Sequence, residues 1–398
     1  MGYYDEIIHA KNDDERRQFI SKLQEARDDI VAFVNTCMKW EGTGQYRRWL
    51  KGSFNIGYVV ARPETDGQEK GPHSVFIRFP IPGRTYTPWS FEKVENEVMI
   101  VDYLREHTTI PLPRVYFWGP IEDSPWQLAP FMIMEFMEGE CLDNLLKKPT
   151  KSDDEPLILN PDIEENKIGI VYRQVADCMV QLSQLRFSRI GAIFKDQGYW
   201  AVTGRPMTYD MKELVAETGF PAEKLTSCSF ARSSEFFRHR GAELWSHLDT
   251  QQNICETEED ARQRFIARHR LAELIPKHCI DNDTSFTIFG DDMCPFNMLA
   301  DPETFQITAV LDFEFTNAMP AQYLYDIPSW LLLASPHCWL ERDDKSGFEE
   351  LFIPQMELFI QETEKVESEL LQLSQGDSQL RVSAQMLLTV ILFSGKRW

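Results

Sequence analysis

Apolar positions along the chain change period several times, and those changes divide it. Downstream of Asp13-Asp14-Glu15, read as a helix start, Phe19, Ile20, Leu23, Ala26, Ile30, Phe33 and Val34 recur at roughly helical spacing. They predict an N-terminal helical segment within residues 1–45. Short β-rich runs follow, Tyr58-Val59-Val60 and Val75-Phe76-Ile77-Arg78-Phe79, separated by the turn-rich PETDGQEKGPHS, so a hairpin is expected. A helix over about 91–106, a Pro-rich turn at Pro111 and Pro113, and strands near 115–117 and 131–136 complete a compact unit over 46–136.

Beyond Gly139 the pattern turns mainly helical, and residues 137–398 read as a second, larger unit. Ile168, Val171, Tyr172, Val175, Met179 and Leu182 form one apolar stripe, as a core helix requires. Helical stretches are expected around 234–248 and 258–274, short strands around 286–289 and 305–311, and further helices to the end. The final LFSGKRW stops abruptly for a last helix, which leaves room for a longer natural C-terminus.

Composition narrows the function classes. A hydrophobic content of 43% over 398 residues supports a sizeable core. The formal charge of -22 disfavours a nonspecific grip on nucleic acid or an anionic membrane. The partner expected is small or cationic, although an acidic surface also serves solubility alone. The eight cysteines are scattered without a CxxC pair, and the start of the chain lacks the apolar core of a secretion signal. No stretch approaches a membrane span, so a cytoplasmic protein is expected, its oligomeric state open. The pairs His278-Cys279 and His337-Cys338 lack zinc spacing, and there is no Gly-x-Ser-x-Gly elbow.

The informative region is FTIFGDDMCPFNMLADPETFQITAVLDFEF, residues 286–315. An apolar run delivers Asp291 and Asp292 into a loop stiffened by Pro295, with Asn297 five residues after Asp292. A turn at Asp301-Pro302 then leads to a strand ending in Asp312. Oxygen ligands from Asn and Asp suit Mg2+, and a further carboxylate can orient or deprotonate a hydroxyl. Alone, the Asp-x-x-x-x-Asn spacing also reads as a polar loop between strands. Upstream, helical spacing places Glu97 on the apolar stripe with Val94, Val98, Val101 and Leu104, and Glu95 on the solvated side with Asp102. A buried carboxylate requires a partner, and Arg78, mid-strand in VFIRF, is the natural one; the alternative is a stripe-edge charge that reaches water. KGSFNIGYVV, with Gly52, Ser53 and Gly57, reads as a loop whose amides can approach phosphates, or as an ordinary turn. It is not a Walker loop.

At these residues the chain resembles the aminoglycoside phosphotransferase and choline kinase-like family, particularly its fungal-type members. The family motif His-Gly-Asp-x-x-x-x-Asn is followed by a strand ending in Ile-Asp-x-x. The resemblance implies an α+β, two-lobed protein kinase-like fold with a small β-rich N-lobe and a larger, mainly helical C-lobe. It implies ATP and Mg2+ as cofactors and a hydroxyl-bearing small molecule as phosphate acceptor. Asp292 then matches the catalytic base, and Asn297 and Asp312 the metal ligands. Arg78 with Glu97 corresponds to the cation on the phosphates and the carboxylate that holds it. Gly52, Ser53 and Gly57 match the nucleotide-covering loop, and Met134, Glu135 and Phe136 the interlobe strand whose backbone holds adenine. Gly290 and Asp291 stand where the family generally has His and Gly; a register with Asp291 as base restores Gly290 but spoils the spacing to Asn297. Asp326 is expected to anchor the helix after the metal strand. The acceptor pocket is expected beside residues 195–285, where Glu213, Glu217, Glu223, Glu259 and Asp260 either attract a cation or line solvated helices. A pseudokinase-like binding or scaffold protein and a carboxylate-based metal hydrolase are the rival readings.

Overall fold

The computed structural model of the chain describes residues 5–63, 71–149, 157–251, 254–279, 286–324, 326–340 and 345–373. Two helices open it, α1 (Glu6–Glu25) and α2 (Arg27–Met38), and pack against a five-stranded sheet. That sheet holds β1 (Gln45–Lys51), β2 (Asn55–Ala61), β3 (Ser74–Pro80), β4 (Val115–Gly119) and β5 (Phe131–Glu135). Its spatial order is β1-β2-β3-β5-β4, with every pairing antiparallel. Helix α3 (Ser90–His107) crosses between β3 and β4.

The sheet is covered on both faces. Phe19, Leu23, Ile30 and Val34 meet Ile56, Val60, Val75 and Ile77 on one side, while Val94 and Val98 of α3 meet Met132 and Met134 on the other. Covered twice, β2 and β3 are buried along most of their length, which is why they read as continuous apolar runs rather than alternating ones. The helix start expected at Asp13 lies in fact at Asp5, whose carboxylate accepts from the amides of Ile7 and Ile8 at 3.0 Å each. Asp13 and Asp14 sit inside α1 and pair with Arg16 and Arg17.

The remainder is mainly helical, as expected. It runs through β6 (Glu140–Cys141), α4 (Leu142–Leu146), α5 (Glu165–Gln184), the hairpin β7 (Ile193–Asp196) and β8 (Tyr199–Val202), α6 (Tyr209–Thr218), α7 (Ser233–Thr250) and α8 (Glu258–His278). After these come β9 (Thr287–Gly290), β10 (Met298–Ala300), β11 (Ile307–Val310), β12 (Thr316–Met319), α9 (Ala321–Leu324), α10 (Pro336–Leu340) and α11 (Lys345–Leu373). The α5 stripe is buried as its spacing predicts, in a cluster with Met298, Val310, Phe359 and Val366. Two small antiparallel pairings matter for function, β9 with β12 and β10 with β11, because they bring the 291–297 and 311–315 loops side by side. The last 25 residues lie outside the described set.

His247 on α7 is 1% exposed, its ring edge-on to Phe220. Burial, then the charges of Arg268 and Arg264, push it down to about 4. With the folded value below the unfolded one near 6.5, the unfolded chain binds the extra proton between them, so stability is full above pH 6.5 and falls towards pH 4. The expected loss is about 3 kcal/mol. Thermal unfolding scanned over that range should fall more steeply for the wild type than for His247→Gln; parallel slopes would rule the residue out as the cause.

Candidate active site

Helix α3 supplies the first half of the site. It touches β4 and β12 at once, so more than one of its faces is buried. The Glu97 stripe is one, and Lys93 and Asn96 point into the protein as well. Glu97, 2% exposed, forms an ion pair with Arg78 of β3, as expected from its position on the apolar stripe. Its other oxygen accepts from the Phe313 amide at 3.3 Å, which ties α3 to the loop between β11 and β12. Glu95 is half-buried rather than solvated, its carboxyl raised by burial and by Glu92.

Asp312 occupies that loop with φ +63, a left-handed conformation unusual for a residue with a side chain and of the kind found at functional sites. Leu311 before it is held by its amide to the Asn297 carbonyl at 2.8 Å. The Asp312 carboxylate stands 3.6 Å from the Arg78 guanidinium, and burial followed by repulsion from Glu314 holds it above the usual carboxylate range. Glu314, which the sequence reading passed over, is 1% exposed and paired with the equally buried Lys93. Asn55 of β2 bridges the two, donating to Glu314 at 2.8 Å and accepting from Lys93 at 2.9 Å. Burial lowers Lys93, with Glu314 opposing; Glu314 is itself drawn below its ordinary value by Lys93 and Arg78, against burial.

Carboxylate oxygens of Glu97, Asp312 and Glu314 all lie within 4.8 Å of one another. Asp312 Oδ1 and Glu314 Oε1 are buried with no hydrogen-bond partner among the described residues. Arg78 and Lys93 face the three acidic groups, and the buried Lys212 also feels the charge of Glu314, but the two partnerless oxygens leave lone pairs unused. An all-oxygen donor set of this kind fits Mg2+. It differs from a zinc site, for which His or Cys ligands would be expected.

The second half is the loop from Asp291 to Asn297. The Asn297 amide donates to Asp292 twice, to its carbonyl and to its Oδ2, both at 2.9 Å. With its nitrogen so engaged, the Asn297 side-chain oxygen points the other way. Burial raises Asp292, while its bonds from Asn297 and Cys294 pull it back. Asp291 accepts instead from the Tyr209 amide at 2.9 Å, and burial pushes it up to about 6. Gly290 cannot hold the loop with a side chain, and a Cβ there would come within 2.9 Å of the Thr316 hydroxyl across the β9–β12 pair. The contacts from Tyr209 and Asn297 secure the loop, together with the Trp330 indole, which donates to the Met293 carbonyl at 2.9 Å.

Other expected residues fall in less direct places. Gly52 and Ser53 form the β1–β2 turn, closed by the Gly52 amide on the Asn55 carbonyl at 2.8 Å. Gly57, by contrast, lies inside β2 rather than in that loop. A Cβ on it would meet the Ile77 carbonyl at 1.8 Å, so close strand packing is what demands glycine. Met134 is buried in the ladder against α3. Phe136 lies just past β5 under the Arg48 guanidinium. The amides of Glu135 and Phe136 already donate to the Arg114 and Ser74 carbonyls, so neither is available for the adenine contact expected of this strand. Asp326, expected as an anchor, follows α9 and accepts from the next amide, Ile327, at 3.2 Å. Of the acidic residues in 195–285, Glu217 pairs with Arg84, Asp260 with Arg264, and Glu259 accepts from Gln263. Glu213 is half-buried, and Glu223 lies in an exposed turn.

The model of the phosphotransferase enzyme family matches residues 66–342, well over half of the chain. The chain belongs to that family. Among curated proteins it is 24% identical over 253 residues to clavilactone A biosynthesis cluster protein Y of Ampulloclitocybe clavipes, covering 61% of this chain and 54% of that one. It is also 24% identical over 156 residues to altered inheritance of mitochondria protein 9, mitochondrial, of Clavispora lusitaniae, covering 39% and 24%. The chain thus spans about half and about a quarter of those relatives' lengths. Among solved structures, the GDP and kanamycin complex of APH(2")-IIia aligns with TM-score 0.44 and 14% identity over 90% of this chain and 96% of that one. Aminoglycoside phosphotransferase APH(3'')-Id of Streptomyces rimosus aligns with TM-score 0.38 and 15% identity over 85% and 98%.

Proposed function

We propose that this member of the phosphotransferase enzyme family is an ATP- and Mg2+-dependent kinase that transfers the γ-phosphoryl group to a hydroxyl of a small molecule. The observation that carries this reading is the juxtaposition of two loops, one bearing Asp292 and Asn297, the other Asp312 and Glu314, behind a guanidinium held by Glu97.

The chemistry follows from positions and charge. Phosphoryl transfer demands little covalent work from the protein; it needs alignment and stabilisation of charge on the phosphate oxygens. Bound Mg2+ would supply positive charge to the phosphates, and Asp312, Asn297 and Glu314 offer the oxygens to hold it. Arg78 presents a fixed cation beside them, held between Glu97 and Asp312. Asp292, fixed by the Asn297 amide, accepts the proton of the acceptor hydroxyl. That oxygen bonds to the γ-phosphorus as the bond to the β-phosphate oxygen breaks, and ADP leaves. A carboxyl raised by burial is a stronger base than a solvated one, which suits this role. In the turn next to Asn55 the Gly52 amide is spent on the Asn55 carbonyl, so of the two residues Ser53 is the one whose amide would approach phosphates.

The test is ADP release from ATP across hydroxylated and amino-sugar acceptors, with Mg2+ and with a chelator. The expected result is acceptor-stimulated release that stops when the metal is removed. Nucleotide binding without release by any acceptor would favour the pseudokinase-like reading.

A further inference from the structure

We infer that Lys212 of α6 is a further phosphate-binding residue, whose ammonium holds the phosphoryl group being transferred; the inference rests on the kinase reading and deepens it. A lysine ammonium has three donors and no acceptor, so burying it calls for oxygen atoms around it. Lys212 is 3% exposed, yet among the described residues its ammonium has no hydrogen-bond acceptor and no carboxylate within ion-pair distance. It lies instead over the Phe54 ring, 3.4 Å from the centroid, with the Tyr209 ring further off at 5.5 Å. A π face attracts the charge but offers no oxygen to the three N–H groups.

The carboxylates whose charge Lys212 feels most are engaged elsewhere. Glu314 is paired with Lys93 and bonded by Asn55, and Glu217 is paired with Arg84 at 3.7 Å. Glu213 pulls least, and burial raises its own carboxyl. Burial therefore prevails over these attractions and draws the Lys212 ammonium down to about 8, still protonated at neutral pH. Arg78 and Lys93 are buried as well, but Glu97 and Asp312 flank the one and Glu314 the other. Of these three cations, Lys212 is the one whose donors remain for a ligand.

Its place indicates which ligand. Phe54 sits in the β1–β2 turn between Ser53, whose amide would approach phosphates, and Asn55, which bonds Glu314. The same ring lies edge-on to Phe315, the residue after Glu314, and to Tyr209, with centroids 5.9 and 5.8 Å apart. Tyr209 opens α6 and donates its amide to Asp291, next to Asp292. Lys212, one turn along that helix, thus stands where the turn over the nucleotide, the oxygen cluster and the base loop meet. The group that passes from nucleotide to acceptor there is the terminal phosphoryl, whose charged oxygens suit ammonium donors. Phe54 is only half-buried, so turning its ring, without repacking the core, gives those oxygens access to the ammonium.

The test titrates MgATP and MgADP into wild type and Lys212→Met by calorimetry, and melts both chains without nucleotide. Methionine keeps the length and the contact with Phe54 and removes the charge. The expected result is a fall in ATP affinity of about 10- to 100-fold, as loss of a charge-assisted hydrogen bond gives, with ADP affinity changed by less than about twofold. The melting temperature should stay level or rise, because an ammonium without oxygen partners no longer has to be buried. Phe54→Leu, which removes the ring and keeps the donors, should retain the preference for ATP over ADP. Equal losses for ATP and ADP, a lower melting temperature or a failure to fold in Lys212→Met, or a preference lost equally in Phe54→Leu, would make Lys212 a structural prop and overturn the inference. Wild type that binds neither nucleotide would sink the kinase reading and this inference with it. Wild-type ATP binding that Lys212→Met reproduces would sink the inference alone.

Discussion

Asp292→Asn is expected to lower kcat by about 10² to 10⁴ fold, the usual weight of a positioned acid–base group, with nucleotide affinity nearly unchanged. The substitution keeps shape and removes proton affinity. Its neighbour provides the control. Asp291 has a raised carboxyl too and, like Asp292, accepts a hydrogen bond, but its donor is the Tyr209 amide, whereas the donor to Asp292 is Asn297, the residue offered as a metal ligand. Asp291→Asn should therefore act mainly on acceptor KM. If the two variants exchanged profiles, Asp291 would be the base and the register of the motif would shift by one.

The second large effect concerns stability. Lys93→Met should cost about 3 to 5 kcal/mol, because it removes the cation paired directly with Glu314 and leaves that carboxylate ionised and buried beside Glu97 and Asp312, with Arg78 and Lys212 as the cations its charge still reaches. Asn55 offers Glu314 one hydrogen bond, which does not neutralise the charge. The double variant Lys93→Met with Glu314→Leu removes both charges and should regain most of the loss, as replacement of buried pairs by apolar residues commonly does. Added Mg2+ should stabilise the single variant more than the double one, since Glu314 offers a ligand oxygen. Equilibrium denaturation with and without the metal checks both; a single variant as stable as wild type would show that the pair is not maintained as an ionised couple.

How far the sequence revealed this arrangement depends on which physical signal each residue left. Glu97 was legible because a charge on an apolar helical stripe must find a partner, and Arg78 was the cation within reach. Lys93 stood four residues before it, one turn away on the same side of α3, and the same logic applied. It was missed because a lysine can snorkel from a stripe edge, and its burial arises only where α3 is pressed between β4 and β12. Glu314 alternates with Asp312 in LDFEF, a spacing that hints at a shared side, but strand alternation does not hold in a loop whose first carboxylate has φ +63. Strand β1 escaped notice because QYRRWLK has no period-two burial; it is an edge strand whose charges keep it from pairing further. Gly57 misled in the opposite direction, since its lack of a side chain serves contact with Ile77 rather than a turn.

The kinase proposed above requires the oxygen cluster behind Arg78 to hold metal and nucleotide. Calorimetric titration of ATP into the whole chain, with Mg2+ and with EDTA, and repeated on Asp312→Ala, tests it most directly. Binding that requires Mg2+ and vanishes in Asp312→Ala is the expected result. Superimposable wild-type and variant curves, or binding indifferent to EDTA, would contradict it.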